Sequence, residues 1–299
     1  MRCNRHVTET VGIIGVGRMG LPVCARLLRA GFQVTATDIL PAREADVRSA
    51  GAEWIAGTEG VARIADVLLT VLPGSSELTE AMALALPSLR PRTTWIDLTS
   101  ASPATARPLV DRAESLGIEC LDAPAGGGPA AAAAGSLHLF VGGRGAVVER
   151  HRNLLESLGR VDHVGENGAG YITKLLVNLL WFGQAVAVGE ALLLARRAGL
   201  DLELLRSVIG ESAAASEFVR RDVPGLFEGD YLASFGVHRC HEELEAVLSL
   251  ADELDVPFEL SGAVERAYRA ALERYGPVDG ELLAVALLEE RAGVRLRSG

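Results

Sequence analysis

Cysteine is scarce in this chain. Cys3, Cys24, Cys120 and Cys240 are scattered over 299 residues with no CxxC and no paired spacing. That argues against a disulfide framework or a thiolate zinc site and fits a reducing cytosol. Basic blocks are missing as well. With a formal net charge of −10, the chain repels nucleic acid and anionic membrane surfaces, which excludes both as main partners. No GxSxG follows a strand, so a serine-hydrolase reading has no support. No internal repeat is visible. The opening MRCNRHVTET is polar and runs straight into a strand, as neither a signal peptide nor an anchor would.

Apolar residues make up 49% and charged residues 23%, the balance of a soluble globular protein. The length suits one large or two ordinary domains. LLVNLLWFGQAVAVGEALLLA, residues 175–195, is long enough for a bilayer. It carries Asn178, Gln184 and Glu190, starts directly after Lys174 and is followed by Arg196 and Arg197. Without a second apolar span, it reads as a buried helix of a soluble, cytoplasmic protein.

Short apolar runs alternate with helical spacing along the first half: VGIIGVG (11–17), QVTATD (33–38), DVLLTVLP (66–73) and TTWIDLTS (93–100) are expected strands. Such alternation predicts a parallel sheet with helices on both faces. IECLDAP (118–124) and SLHLFVGG (136–143) extend the sheet around DAPAGGGPAAAAAG (122–135), which composition alone would make a linker. After about Gly168 helical periodicity dominates. The expected fold class is therefore α/β: a Rossmann-type parallel sheet domain over 1–167, followed by an all-helical domain over 168–299.

Gly15-Val16-Gly17-Arg18-Met19-Gly20 lies between an expected strand and helix. The first glycine permits the tight turn, the second lets a pyrophosphate approach, and the third lets helix pack on strand. Free N–H groups at the helix start bind the phosphate charge. Asp38 ends the next strand, where a carboxylate accepts from both ribose hydroxyls or, more plainly, caps a turn. A 2′-phosphate would be repelled there, and the first base beyond it is Arg43, so NAD is favoured over NADP.

The second signal is Gly168-Ala-Gly-Tyr-Ile-Thr-Lys174-Leu-Leu-Val-Asn178. Lys174 and Asn178 are four apart and share a helix face. A lysine on an apolar helix either snorkels to water or holds an ammonium in a cleft, where it shuttles the proton that accompanies hydride transfer. Spacing alone leaves both open.

With these motifs in order, the chain resembles the β-hydroxyacid dehydrogenases, which include 3-hydroxyisobutyrate dehydrogenase and tartronate semialdehyde reductase. GVGRMG (15–20), VLP (71–73), DLTSASP (97–103), the 122–135 segment and GAGYITKLLVN (168–178) match that family's motifs in register. The resemblance implies reversible NAD(P)-dependent oxidation of a short β-hydroxyacid in a homodimer or homotetramer. It implies that Lys174 is the acid/base and that Asn178 helps hold the small-molecule substrate. Leu72, Pro73 and Ser100 would line the nicotinamide end, and Gly126, Gly127 and Gly128 would sit in the substrate loop.

Three departures stand out. Gly126 replaces a serine whose hydroxyl helps hold the substrate carboxylate in the family, although consecutive glycine N–H groups can still form an anion-binding concavity. Val177 stands where many relatives carry a second asparagine. Glu242-Glu243 replaces a lysine–aspartate pair, which reads either as a solvated helix face or as a pocket preferring an amine or imine nitrogen. His238 and His241 lie three apart before Glu242, but without a further ligand they are expected to be exposed or capping rather than metal-bound. No metal is expected. Two alternatives to the dehydrogenase reading are kept. One is a reductase of imines or larger carbonyls, although related imine reductases usually replace the lysine and favour NADP. The other is a non-catalytic NAD-binding protein.

Overall fold

The computed structural model describes residues 9–297. Cys3 and the opening segment 1–8 therefore lie outside the described residues. Residues through Lys174 form one compact unit and those from Leu175 onward a second, the division falling inside one long helix.

The first unit alternates strands and helices. In chain order these are β1 (Thr10–Ile14), α1 (Gly20–Arg29), β2 (Gln33–Thr37), α2 (Glu44–Ala50), β3 (Glu53–Trp54), α3 (Thr58–Ile64), β4 (Val67–Thr70) and α4 (Ser75–Ala85). They continue as β5 (Thr94–Asp97), α5 (Pro103–Ser115), β6 (Glu119–Asp122), β7 (Ala125–Gly126), α6 (Gly128–Ala134), β8 (Leu137–Gly142), α7 (Gly145–Arg150), α8 (Arg152–Leu158) and β9 (Gly159–Gly165).

The sheet order is β3-β2-β1-β4-β5-β6-β8-β7, with β9 paired to β8. From β3 to β6 every neighbour is parallel. β8 runs antiparallel to β6 and β7, and β9 parallel to β8. The expected parallel sheet is thus mostly parallel. Its central strands are buried on both faces: β4 and β5 have no exposed residue, the pattern that helices on both faces impose. One core lies under α1 and contains Val23, Leu27, Ile13 and Leu69. The other lies under α3, α4 and α5 and contains Leu68, Leu78, Met82 and Trp95.

The segment 122–135 is built into this sheet. Ala125 pairs with Leu139 and Gly126 with His138, after which the alanine run forms α6. Alanine has the highest helix propensity, and Ala132 is buried in the core that also holds Val23 and Leu27. An element of sheet and helix therefore stands where composition alone suggested a linker.

The second unit begins within α9 (Ala169–Arg197) and adds α10 (Leu202–Gly210), α11 (Val223–Glu228), α12 (Val237–Glu253), α13 (Glu259–Tyr275) and α14 (Leu283–Ala292). Asp201 caps α10 by accepting from Leu204 N–H. Two apolar cores hold this unit: one around Phe182, Leu244 and Tyr268, the other around Leu192, Phe218 and Val285. By length and composition α9 could cross a membrane, and 39% of its apolar window is buried. The expected buried helix is buried along one side only. Leu179, Phe182 and Val186 enter the core, while Leu176, Leu180 and Leu194 are exposed.

Candidate functional site

The turn from β1 to α1 is shaped by its glycines. Gly15 has φ +92°, and a Cβ on Gly20 would stand 1.9 Å from the Gly15 carbonyl oxygen. Only glycine allows that approach of helix to strand. Gly17 differs: nothing lies within 4 Å of where its Cβ would be. No protein atom demands a glycine there, and the open space above it is the cradle a phosphate group needs. Val16 is buried, Arg18 exposed, and Met19 stands at the N-cap of α1 without a side-chain cap bond. Leu21 N–H donates to the Gly17 carbonyl and Val23 N–H to that of Met19, and Pro22 has no N–H, so among the first four helical positions Gly20 N–H is the candidate anion donor. The turn fits a dinucleotide.

Asp38 follows β2 and ties that turn down. Its Oδ2 accepts from Val16 N–H at 2.8 Å and its Oδ1 from Leu40 N–H at 2.9 Å. The plain role, capping the turn, is thus present, and each carboxylate oxygen keeps a second lone pair. Beyond it Ile39 and Leu40 are exposed.

At the ends of β4 and β5, Leu72 N–H donates to Thr99 Oγ1 at 3.2 Å, and Thr99 N–H donates to Asp97 Oδ1 at 3.0 Å. Pro73 is exposed; Leu72 and Ser100 are half-buried. Asp97 is 1% exposed. It also accepts from Thr70 Oγ1 at 2.6 Å and from the Tyr171 hydroxyl at 2.6 Å. Burial pushes its carboxyl up to about 6, against the pull of these donors from Thr70, Thr99 and Tyr171.

These bonds matter because Tyr171 lies on the first turn of α9. Asp122, at the end of β6, accepts from Gly168 N–H at 2.8 Å and from Tyr171 N–H at 3.1 Å. It thereby caps the N-terminus of α9 from a distant strand, placing a carboxylate where the helix dipole is positive. Burial still outweighs these bonds and raises its carboxyl above the ordinary value. Asp97 and Asp122 together fix the start of α9 on the end of the sheet, and Lys174 follows Tyr171 by three residues. Sequence reading missed both carboxylates as anchors. Their signal was an acid closing each of two successive strands, in WID and CLD.

Lys174 is half-buried. The sequence carries a further signal at this position: among 29 basic residues, 28 are arginines and Lys174 is the only lysine. Arginine does not give up its proton in proteins. The chain's one basic side chain of the lysine type therefore stands at the position singled out by motif.

Gly126 lies on β7, and the nearest atom to a Cβ built there is 4.0 Å away, so a serine would fit. Gly127 precedes α6 and Gly128 opens it.

In the second unit, Asn178 Nδ2 donates to Glu243 Oε2 at 2.5 Å. Glu243, on α12, is 7% exposed, which corrects the solvated-face reading for this residue. The reading holds for Glu242, which is exposed and pairs with Arg239 at 2.8 Å. The two acids of the pair thus face different surroundings. His241 is also corrected. It is buried and its Nε2 lies 3.0 Å from Glu265 Oε1, because α12 packs this face on α13. Among the described residues no cluster of His, Cys, Asp and Glu suits a metal.

Comparison with known proteins agrees with this geometry. The family model described as the NAD binding domain of 6-phosphogluconate dehydrogenase matches residues 10–168. A second, described as NAD-binding of NADP-dependent 3-hydroxyisobutyrate dehydrogenase, matches residues 168–288. The chain is 29% identical over 294 residues to 2-(hydroxymethyl)glutarate dehydrogenase of Eubacterium barkeri, covering 97% of this chain and 98% of that protein. It is 31% identical over 239 residues to NAD-dependent L-serine dehydrogenase of Pseudomonas aeruginosa, covering 76% and 80%. Mycobacterium tuberculosis 3-hydroxyisobutyrate dehydrogenase, solved with L-serine, superposes with a TM-score of 0.85 at 26% identity, covering 94% of this chain and 99% of that one. The chain belongs to the β-hydroxyacid dehydrogenase family of NAD(P)-dependent oxidoreductases acting on CH–OH groups.

Proposed function

We propose that this protein is an NAD-dependent dehydrogenase of a short β-hydroxyacid, with Lys174 as the group that moves the proton. The observation that carries this reading is the single lysine on α9, three residues beyond the Tyr171 that is anchored to Asp97. In the oxidative direction the amine of Lys174 accepts the hydroxyl proton as the C–H hydride leaves. In the reductive direction its ammonium polarises the carbonyl and returns the proton. An arginine could polarise but not exchange the proton, so the residue type is itself an argument for proton transfer.

The dinucleotide supplies the hydride acceptor or donor when bound. Gly15, Val16, Gly17, Arg18, Met19 and Gly20 would hold its pyrophosphate, with Asp38 at the ribose and Leu72, Pro73 and Ser100 at the nicotinamide end. The Asp38 carboxylate supports NAD over NADP, because a 2′-phosphate there would meet a like charge. Gly126, Gly127, Gly128 and Asn178 would complete the substrate side. The test is a screen of short hydroxyacids and their oxidised forms in both directions, with NAD and NADP, following absorbance of the reduced nicotinamide. NADH formation from a β-hydroxyacid is expected. Turnover of imines alone, or tight cofactor binding with no turnover, would reject the reading, and a preference for NADP would reject the role of Asp38.

We further propose a cytoplasmic homodimer or homotetramer. Leu176, Leu180, Ala187, Ala191 and Leu194 are exposed at helical spacing on α9, a stripe of the kind that a second copy covers. The described cysteines, Cys24, Cys120 and Cys240, are buried free thiols, in keeping with a reducing compartment. Sedimentation of the purified protein tests the assembly; a monomer at micromolar concentration would reject it.

A further inference from the structure

Within the first unit, the buried Asp97 carboxylate joins two places that the proposed reaction needs together. On one side, Leu72 N–H donates to Thr99 Oγ1, and Thr99 donates to Asp97 from its N–H, at 3.0 Å, and from its hydroxyl. On the other, the Tyr171 hydroxyl donates to Asp97 Oδ2 at 2.6 Å, from the turn of α9 that carries Lys174. Thr70 Oγ1 adds a donor at 2.6 Å and itself accepts from Trp95 Nε1 at 2.9 Å. Every partner of Asp97 donates, so the network is complete only around an ionised carboxylate. A proton on Asp97 needs one partner to turn from donor to acceptor. Thr99 N–H cannot turn, and Trp95 and Leu72 hold the hydroxyls of Thr70 and Thr99 from behind. The Tyr171 hydroxyl is the partner that yields, and its hydrogen then points into a buried space with no acceptor.

We propose that Asp97 is a positioning residue whose charge gates the reaction: ionised, it ties the Leu72–Thr99 turn to the first turn of α9 and holds Lys174 in place, and one proton taken up there releases Tyr171 and slows the reaction in both directions. This rests on the reading of Lys174 as the proton-transfer group and of Leu72 as part of the nicotinamide end. Burial lifts the Asp97 carboxyl to about 6 against the pull of Thr70, Thr99 and Tyr171. The joint is therefore whole above that value and loosened below it. From β6, Asp122 and Cys120 face the same tyrosine, and burial raises both. Asp122 holds the backbone N–H groups of Gly168 and Tyr171, not the hydroxyl. The sense of the effect separates Asp97 from Lys174 itself. An amine acting as base in oxidation and as acid in reduction slows only oxidation when it gains a proton, whereas loss of position slows both.

The test reads rate and position separately on the full-length protein. For rate, kcat is measured from about pH 5 to about pH 8 in both directions, with 3-hydroxyisobutyrate and NAD, and with the semialdehyde and NADH. For position, Lys174 is its own reporter. Because it is the only lysine, protein made with nitrogen-labelled lysine gives one backbone amide signal in NMR spectra, read without substrate or cofactor. The wild type is expected to lose about tenfold in kcat in both directions between about pH 7 and about pH 5, with the Lys174 amide shifting at a midpoint of about 6. Asp97→Asn should remove both responses. Tyr171→Phe leaves Asp97 free to titrate but cuts the joint, so kcat should stay near the acid value at every pH and the amide should not shift. A response that persists in Asp97→Asn belongs to Asp122 or another group and overturns the proposal, as a merely structural Asp97 would. One of wild-type size in Tyr171→Phe, moved to higher pH by the lost donor, means action through space and overturns it too. So does a loss confined to oxidation. Should one variant fail to fold, the other decides alone. An amide that behaves as expected in a protein that turns over no hydroxyacid rejects the dehydrogenase reading and keeps the joint. Turnover with a silent amide does the reverse.

Discussion

The Tyr171 hydroxyl donates to the buried Asp97 carboxylate at 2.6 Å, joining the first turn of α9 to the end of β5. Tyr171 is itself 2% exposed, so neither group can turn to water. Tyr171→Phe would leave Asp97 Oδ2 without this donor and should cost about 1–3 kcal/mol of stability, the penalty of an unsatisfied buried polar group. Asp97→Leu also leaves the Thr70 hydroxyl and Thr99 N–H without their acceptor, so the double variant should be less stable than Tyr171→Phe but lose less than the sum of the two single variants. Denaturant titration of the two single variants and the double variant measures the coupling; strictly additive losses would contradict it.

Asp97 and His151 pull the pH dependence of stability in opposite directions. The Asp97 carboxyl keeps its proton up to about 6 in the folded chain, against 3.8 ordinarily, because burial disfavours the anion. Its contribution is full below about 4 and is lost as pH rises through 6. His151 is pushed down to about 4 from 6.5, first by burial and then by Arg150. Its contribution is full above 6.5 and is lost as pH falls through 4. The two nearly offset between pH 4 and 6.5. Asp97→Asn removes the first, worth about 3 kcal/mol at 1.4 kcal/mol per pK unit. Its melting temperature should therefore rise more steeply with pH across that window than the wild type's, and be higher at pH 8. Thermal melts across pH 4–8 check this, and parallel curves for variant and wild type would refute the assignment to Asp97.

Lys174→Arg tests proton transfer separately from charge. The variant keeps a cation on α9 but cannot release its proton, so kcat should fall by about 10²–10⁴. Cofactor binding, followed by fluorescence of the reduced nicotinamide, should stay within about twofold, or about 0.4 kcal/mol. Because Lys174 is the only lysine, an amine-directed reagent modifies one side chain. Inactivation should track that single modification, located by mass spectrometry. Activity surviving in the fully modified protein would remove Lys174 from the mechanism.

Gly17 and Gly20 belong to one motif but should fail differently. A Cβ on Gly20 would stand 1.9 Å from a backbone oxygen, whereas nothing lies within 4 Å of one on Gly17. Gly20→Ala should lower the melting temperature by several degrees, as overpacking against backbone costs about 1–3 kcal/mol. Gly17→Val should melt close to the wild type and bind the dinucleotide at least about tenfold more weakly, a loss of about 1.4 kcal/mol. Equal melting losses in both would mean that Gly17 is structural.

Much of this protein is legible without coordinates, because local patterns carry it. Apolar runs ending at glycines or acids mark β1, β2, β4 and β5; Gly15, Gly17 and Gly20 mark the turn; and four-residue spacing places Lys174 and Asn178 on one face. The alanine run was harder to place, since composition says linker while pairing with β8 and propensity say strand and helix. Glu242 and Glu243 are adjacent and chemically identical, yet one is solvated and the other buried. No local pattern separates them.

What the sequence by itself determined is the order of elements and the chemical types at the motifs, since both depend on short-range periodicity and on what each side chain can do. The anchors were decided only in three dimensions. Asp122 caps α9 across 46 residues, Glu243 holds Asn178 across 65, and Asp97 meets Tyr171 across 74. Each is a bond between groups that packing brings together and burial then forbids from turning to water. Such pairings are a property of the assembled core, which is why an isolated acid at a strand end announces a role without naming its partner.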